Sequence, residues 1–240
     1  LGAEVRGVGF APAEDGPSRR LAGRAAPRRL RLTTSAGEID TRRVLIATGT
    51  EARRPASPRV PRAASERVHT EILALRDLRD ARVAIIGGGD AACDYALSLS
   101  RGNAVTILVR GARLRALPLL QQRVSACETI GVRRDCRIAR IDLHPGRELY
   151  LLPEDGTAPL PADHLIFAVG RGPALGFLPA EIARACAADD ATGILHFAGD
   201  VRGGIFRQAA IAAGEGVRVA MEIAGLCAGP PGRGSETEEA

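Results

Sequence analysis

The chain has 240 residues, 45% of them apolar, so it can form one large domain or two of ordinary size. All 33 of its basic residues are arginine, which excludes Schiff-base chemistry and a P-loop lysine within this sequence. The net charge of +5 is modest, the arginines are spread along the chain and aromatic residues are few, so no nucleic-acid partner is expected.

Alternating apolar residues bounded by turn residues predict strands over the first part of the chain. These strands are Glu4–Phe10, Arg29–Thr34, Glu38–Thr41 and the apolar run Arg43–Thr50. Between the first two, Ala11–Pro27 is rich in Gly, Pro and Arg, which predicts a long exposed hairpin loop. Three prolines in Pro55–Pro61 predict an extended linker before the next series of elements.

A second series of strands and helices follows that linker. It comprises the strand Ala81–Ile86, the helix Asp90–Arg101, the strand Ala104–Val109, the helix Leu117–Ile130, short strands within Val132–Leu152 and the strand Asp163–Val169. The segment DHLIFAVG, which ends at Gly170, is similar to RRVLIATG, which ends at Gly49. This weak duplication suggests two related domains in one chain.

The last part of the chain repeats the pattern of a strand before a loop. A strand and loop over Gly193–Asp200 precede a helix predicted over Phe206–Gly225. The polar tail Gly229–Ala240 is predicted to be disordered.

A glycine motif stands between the first strand and the first helix of the second series. Its pattern is G-x-G-x-x-A, in which Gly87 allows a tight turn, Gly89 lets the backbone approach a pyrophosphate and Ala92 permits close helix packing. The N terminus of the following helix adds free N–H groups and a positive dipole end. A purely structural glycine turn is the alternative, which this strand–helix–strand placement disfavours. The predicted nucleotide-binding residues are Gly87, Gly88, Gly89, Asp90, Ala91 and Ala92.

The residues after the next strand favour NADP over NAD. An NAD site carries an Asp or Glu about 20 residues beyond the glycines, but nothing between Gly102 and Gln122 is acidic. Instead, Arg110 and Arg115 follow the strand, and arginine can bind a 2′-phosphate bidentately. The alternative is that these are ordinary surface residues of an arginine-rich chain.

The sequence predicts neither a metal site nor a membrane-spanning segment. The five cysteines form no CxxC pair and the four histidines lack ligand spacing, so neither a disulfide framework nor a metal site is predicted. No apolar run approaches the roughly 20 residues that cross a bilayer, and no signal-peptide pattern opens the chain. We therefore expect no membrane partner and a cytoplasmic location.

Three segments together resemble one protein family. VLIATGT, VAIIGGGDAACDYALSLS and FAGDVRGGIFRQAAIAAGEG are similar to the thioredoxin reductase branch of the FAD/NAD(P)-dependent pyridine nucleotide-disulfide oxidoreductases, and the resemblance runs from about Glu4 to Ile223. It implies an α/β fold with two Rossmann-like three-layer dinucleotide-binding domains, in which an incomplete FAD domain is interrupted by an NADPH domain. The expected FAD domain covers residues 1–57 and 190–228, the NADPH domain 66–183, and the tail 229–240.

The resemblance also implies roles for residues around a flavin. Asp200 would hold the ribityl chain, and Gln208 and Ala209 would lie beside the pyrimidine ring. These roles agree with elementary physics, because a carboxylate accepts hydrogen bonds from sugar hydroxyls and a helix N terminus stabilises negative charge on reduced flavin. The full expected flavin set is Ala47, Thr48, Gly49, Gly199, Asp200, Arg207, Gln208 and Ala209. Arg110 and Arg115 fall where the family places its 2′-phosphate arginines.

The sequence departs from the family pattern at two places. The redox CxxC of the family would fall around His69–Leu73, where there is no cysteine, so dithiol chemistry and thioredoxin reduction are not expected. The family also begins with an FAD glycine motif that this sequence lacks, and Leu1 is not an initiator methionine. We therefore expect a fragment or a truncated form that does not bind FAD tightly by itself.

The function predicted from these features is a flavin-dependent NADPH oxidoreductase. Hydride would pass from NADPH to FAD and then to an unidentified acceptor, a small molecule or a redox protein, with Pro55–Pro61 and Gly170–Pro173 as candidate hinges. No side chain is predicted to be catalytic, because the flavin carries the chemistry. A ferredoxin reductase is one version of this hypothesis, and a homodimer is compatible with it. The alternatives are a non-catalytic or partner-completed NADPH-binding module and, less favoured, an NADP dehydrogenase without flavin.

Overall fold

The protein is described by a computed structural model over residues 2–12, 29–144, 146, 148–187, 193–202, 204 and 206–228. The predicted tail and nearly all of the predicted loop Ala11–Pro27 lie outside these residues. The chain divides into two compact units, the first formed by Leu1–Thr50 with Pro173–Ala240 and the second by Glu51–Gly172. The first unit is therefore interrupted by the second. The chain leaves the first unit after residue 50 and returns to it at residue 173. Residues 173–187 therefore group with the first unit and not with the inserted one.

The first unit contains a three-stranded antiparallel sheet and a pair of parallel strands. The antiparallel sheet is formed by β1 (Val5–Phe10), β2 (Leu30–Thr34) and β3 (Gly37–Thr41), in that order. The parallel pair is β4 (Val44–Ile46) with β15 (Leu195–Phe197). The described part of the unit also contains a 3₁₀ helix over Gly199–Arg202 and the helices α3 (Ala180–Ala187) and α4 (Ala209–Ala228). Its apolar core includes Val8, Leu30, Ile46, Ile182, Leu195 and Val201.

The predicted strand Arg43–Thr50 is shorter in the structure. β4 ends at Ile46, and the chain turns at Gly49, whose φ of +67° favours glycine. The next strand, β5 (Thr50–Ala52), pairs separately with β14 (Arg171–Pro173). Helix α3 was not predicted, although Pro179 before it and Glu181 in its first turn are helix-start signals.

The second unit is built on a five-stranded parallel sheet. Its strands are β6 (Val68–His69), β7 (Arg82–Ile86), β8 (Ala104–Leu108), β9 (Ile130–Arg133) and β13 (His164–Phe167). They stand in the order β6-β13-β7-β8-β9. Helices α1 (Asp90–Leu99) and α2 (Pro118–Ser125) accompany it, together with an antiparallel sheet of β10 (Ile138–Leu143), β11 (Leu149–Pro153) and β12 (Leu160–Ala162).

Alternating residues of the parallel strands separate two apolar cores. Val83 and Ile85 belong to the core that contains α1, whereas Ala84 belongs to the core that contains Leu149 and Leu151 of β11. Because successive strand residues point to opposite faces, helices cover one face of the sheet and the antiparallel sheet covers the other. The predicted α/β fold with a three-layer Rossmann-like domain is confirmed.

Two predicted helices have different boundaries in the structure. The helix expected over Leu117–Ile130 ends at Ser125, whose hydroxyl donates to main-chain carbonyls of the last turn, and Ile130 instead begins β9. The final helix, expected over Phe206–Gly225, is α4 and runs from Ala209 to Ala228.

Candidate functional site

The glycine loop of the inserted unit connects β7 to α1. A Cβ atom at Gly87 would lie 2.4 Å from the carbonyl oxygen of Ala168, and one at Gly88 would lie 3.0 Å from Val109 Cγ1. The main chain of Ala168 therefore excludes a side chain at Gly87, whereas a side chain at Gly88 would require Val109 to shift slightly. A Cβ at Gly89 would meet no atom within 4 Å. This glycine thus borders open space, into which a phosphate can approach the backbone.

The N terminus of α1 lies at this open space. Gly89 is its N-cap residue, and no side chain caps the helix, so the N–H groups of its first turn and the positive end of its dipole can bind an anion. Asp90 does not act as a cap: its Oδ1 accepts a hydrogen bond of 2.7 Å from the main-chain N–H of Leu117. Asp90 therefore ties the beginning of α1 to the beginning of α2. Its predicted role in nucleotide binding stays a prediction, as do those of Ala91, which is exposed, and Ala92, which is buried.

The arginine loop is held against the glycine loop by the main chain. Arg115 N–H donates a 2.6 Å hydrogen bond to the carbonyl oxygen of Gly88. The side chains of Arg110 and Arg115 are exposed, and within the described residues they make neither a hydrogen bond nor an ion pair. Two uncompensated guanidinium groups beside an anion site, with no acidic residue in the loop, fit a 2′-phosphate better than ribose hydroxyls. The residues present therefore fit NADPH.

A cleft of about 480 Å³ lies in the first unit, where β4 and β15 end and α4 begins. Seven of the eight residues expected around a flavin line this cleft. They are Ala47, Gly49, Gly199, Asp200, Arg207, Gln208 and Ala209. The eighth, Thr48, is not among the lining residues, because its hydroxyl donates a 2.7 Å hydrogen bond to the carbonyl oxygen of Ala174.

A carboxylate from α4 holds the strand end at this cleft. Glu215 Oε2 accepts a 2.8 Å hydrogen bond from the N–H of Gly199, whose φ of +76° favours glycine. Sequence reasoning missed Glu215, since a carboxylate 16 residues away in the chain carries no local signal of this contact. The arrangement leaves Asp200 on the 3₁₀ helix at the cleft and the start of α4 beside it. A carboxylate and a helix N terminus at one cleft fit a ribityl chain and a flavin ring.

The segment where the family resemblance places two cysteines carries other chemistry. Glu71 accepts a 2.7 Å hydrogen bond from the Tyr95 hydroxyl and pairs with Arg171, and these hydrogen bonds hold the pKa of the Glu71 carboxyl below its usual range. Burial raises the pKa of Tyr95 to about 12, with the hydrogen bond to Glu71 adding to the shift. Within the described residues no group of three or more His, Cys, Asp and Glu side chains is arranged to hold a metal ion. None of the described helices is long and apolar enough to cross a membrane.

Comparison with known proteins agrees with this architecture. Residues 25–197 match the family model described as pyridine nucleotide-disulphide oxidoreductase. Thioredoxin reductase of Debaryomyces hansenii is 30% identical over 205 residues, which are 77% of this chain and 63% of that protein. Ferredoxin–NADP reductase 1 of Cupriavidus necator is 33% identical over 160 residues, or 62% of this chain and 44% of that protein.

Solved structures show the same fold. Thioredoxin reductase of Lactococcus lactis superposes with a TM-score of 0.72 at 24% identity, covering 94% of this chain and 74% of that one. The enzyme of T. acidophilum gives a TM-score of 0.67 at 20% identity, covering 92% of this chain and 73% of that one. The chain spans less than two thirds of the length of the two relatives named above. Because the family model matches 173 of the 240 residues (25 to 197), the chain belongs to the pyridine nucleotide-disulphide oxidoreductase family and is thioredoxin reductase-like.

Proposed function

We propose that the protein is a flavin-dependent NADPH oxidoreductase that passes reducing equivalents to its acceptor without a dithiol. The observation that carries this proposal is the presence of two arrangements in one chain. One is an open glycine loop beside two arginines that have no partner among the described residues, and the other is a separate cleft lined by Asp200 and the start of α4. The first arrangement suits NADPH and the second suits FAD. Bound flavin would supply the two-electron chemistry between the nicotinamide and the acceptor.

The contributions of the chain itself are binding and orientation. Gly89 and the N terminus of α1 would receive the pyrophosphate, and Arg110 with Arg115 would hold the 2′-phosphate. In the other unit, Asp200 would accept hydrogen bonds from flavin hydroxyl groups, and the N terminus of α4 would stabilise negative charge on the reduced ring. We assign no side chain as a general acid or base.

The named relatives indicate the type of redox reaction but do not identify the acceptor. They include thioredoxin reductases and a ferredoxin–NADP reductase. The absence of any CxxC pair from this sequence favours an acceptor that is reduced directly by the flavin, as a small molecule or a redox protein. We further propose a cytoplasmic protein that binds neither nucleic acid nor membrane, and a homodimer is compatible with this proposal.

The second candidate function is an NADPH-binding module whose flavin half is completed by another polypeptide. Helix α4 is largely apolar, yet Val219 is its only buried side chain, and Val217 and Met221 are 63% and 71% exposed. Parallel sheets are normally covered on both faces, but β4 and β15 form a sheet of only two strands among the described residues. An apolar helix and a small parallel sheet of this kind favour further packing by another segment.

An absorption spectrum separates the two functions. A protein-bound flavin band that appears when FAD is added in excess to the purified chain, and that NADPH bleaches under anaerobic conditions, would support the oxidoreductase. No bound flavin at excess FAD, with NADPH binding retained, would instead support the module.

The cofactor preference has its own test. Replacing Arg110 and Arg115 together by alanine should weaken NADPH binding about tenfold or more, since each loses a charge-assisted hydrogen bond, and should leave NADH binding nearly unchanged. Arg101→Ala is the matched control, because Arg101 is exposed and lies at the opposite, amino-terminal edge of the sheet, just before β8. Equal losses for NADPH and NADH would contradict the assignment.

A further inference from the structure

A second cleft, of about 450 Å³, lies in the inserted unit where the edge strand β6 ends. It is lined by polar and apolar side chains that include Arg54, His69, Thr70, Glu71 and Leu73. We propose that this cleft binds a small molecule that carries a carboxylate or phosphate group on an apolar body. The inference goes beyond the proposed function and does not rest on it.

The charge of the cleft is positive because Glu71, the only carboxylate among its described lining residues, is already neutralised. Both oxygens of Glu71 are engaged, one by the Tyr95 hydroxyl at 2.7 Å and the other by Arg171. Arg54 is exposed and makes no hydrogen bond or ion pair within the described residues. One guanidinium group with its donors free therefore remains at the cleft, and guanidinium binds carboxylate and phosphate groups in preference to other ligands.

Two further polar groups can complete an anion site. Thr70 is a partly buried residue, and its hydroxyl has no hydrogen-bond partner within the described part of the chain. His69 is also partly buried, and its Nε2 lies 3.2 Å from Nδ1 of His164. The other ring nitrogen of His69, Nδ1, has no hydrogen-bond partner among the described residues. The cleft thus offers a hydroxyl and an imidazole nitrogen in addition to the guanidinium.

The imidazole couples anion binding to pH. Burial, with His164 and Arg54, lowers the pKa of His69. Burial, with Arg67, lowers the pKa of His164, against a smaller opposite effect of Asp163. A bound anion would offset the repulsion from Arg54 and would raise the pKa of His69. By linkage, anion affinity should increase as pH falls through that pKa.

The apolar side of the cleft indicates the body of the ligand. Leu73 lies on a 3₁₀ helix at its wall and is 75% exposed, and Val68 and Ala74 complete the apolar lining. A single exposed leucine is ordinary, but beside an unpaired guanidinium it suits an aromatic or aliphatic acid. Benzoate is therefore a suitable probe, with benzamide as its neutral isostere and inorganic phosphate as the alternative anion.

The test is an NMR titration of the full chain with these three probes, in which the histidine ring resonances report on His69 and His164. We expect benzoate to bind at least tenfold more tightly than benzamide and to raise the pKa of His69. Arg54→Ala should weaken benzoate binding about tenfold, whereas Arg59→Ala, which removes an exposed arginine from the same linker outside the cleft, should not. Tighter binding of phosphate than of benzoate would identify a phosphate ligand, and the reverse order a carboxylate.

Several outcomes would overturn the proposal. These are equal binding of benzoate and benzamide, no response to any probe, or an effect of Arg54→Ala no larger than that of Arg59→Ala while both variants keep the parent amide spectrum. Displacement of benzoate by NADP⁺ but not by 2′,5′-ADP would assign the cleft to the nicotinamide end of the dinucleotide and would also overturn it. His69→Asn should retain binding at high pH and lose the increase at low pH. Unchanged pH dependence in that variant would remove His69 from the site.

Discussion

Two neighbouring glycines should respond in opposite ways to the addition of one methyl group. At Gly89 the backbone φ of −97° and ψ of −173° suits alanine, and a Cβ would meet no atom within 4 Å. Loss of a favourable N-cap residue lowers the free energy of unfolding by up to about 1 kcal/mol. The reduced entropy of the unfolded chain raises it by about 0.4–1 kcal/mol. Gly89→Ala should therefore change the free energy of unfolding by no more than about 0.5 kcal/mol.

The same methyl group should damage NADPH binding. It would occupy the open space in front of α1 and hold the pyrophosphate away from the backbone N–H groups. Losing one charge-assisted hydrogen bond costs about 1.5–3 kcal/mol, which corresponds to a loss of roughly 10- to 100-fold in affinity.

At Gly87 the methyl group should damage the fold. Its Cβ would lie 2.4 Å from the carbonyl oxygen of Ala168 and 3.0 Å from the carbonyl carbon. Both are main-chain atoms at the end of β13, so relief requires a shift of that strand. Such overpacking costs about 1–3 kcal/mol and should lower the melting temperature by about 4–12 °C.

Thermal unfolding by circular dichroism and NADPH titration by calorimetry test the pair together. Gly131→Ala is the control, because a Cβ at this position in β9 would make only an ordinary 3.8 Å contact with the Thr106 hydroxyl of β8. The reasoning is refuted if Gly89→Ala leaves NADPH affinity unchanged, or if it destabilises the protein as much as Gly87→Ala does.

Three further predictions concern side chains outside the lining of the two dinucleotide sites. Asn103→Ala should cost about 2–3 kcal/mol in chemical denaturation, because the buried amide makes three hydrogen bonds to main-chain groups that would lose their partner. Glu215→Ala should speed amide exchange at Gly199 and lower FAD affinity; unchanged exchange would contradict its role. Hydrogen bonds from Arg82 lower the pKa of Asp163 below 3.8. Its stabilising effect is therefore present above that pH and is lost as pH falls through the folded pKa. Asp163→Asn should be less stable than the parent at pH 7 and should lose this difference in acid; a constant difference across pH would contradict the linkage.

The fold and much of the nucleotide loop could be predicted because their signals are local. Strand alternation over Val83–Ile86 and the glycine spacing before α1 each lie within a few residues of the feature that they specify. The residues of the proposed flavin cleft were predicted differently, through similarity of a whole segment to a family. Seven of these expected residues line one cleft. Thr48 does not, because its hydroxyl donates a hydrogen bond to the carbonyl oxygen of Ala174.

The features that could not be predicted depend on partners distant in sequence. Asp90 appears in the motif as a nucleotide residue, yet its carboxylate binds the main chain 27 residues later. Tyr95 and Glu71 are 24 residues apart, and neither carries a local signal of the other. A single sequence records which side chains can form hydrogen bonds, but the choice among acceptors is made by tertiary packing.

The two halves of the proposed function therefore rest on different physical grounds. In the inserted unit, the parallel sheet has a buried core on each face, so the glycine loop and α1 are fixed by a complete set of layers. In the first unit, the described residues leave α4 mostly exposed beside a two-stranded parallel sheet. The polar groups of the proposed flavin cleft therefore lie on elements that are less covered by packing. A rigid support keeps binding groups in position without further ordering on binding. On the proposed function, NADPH recognition would follow from packing within the inserted unit, whereas flavin affinity would depend on how firmly α4 and the Gly199–Arg202 turn are held.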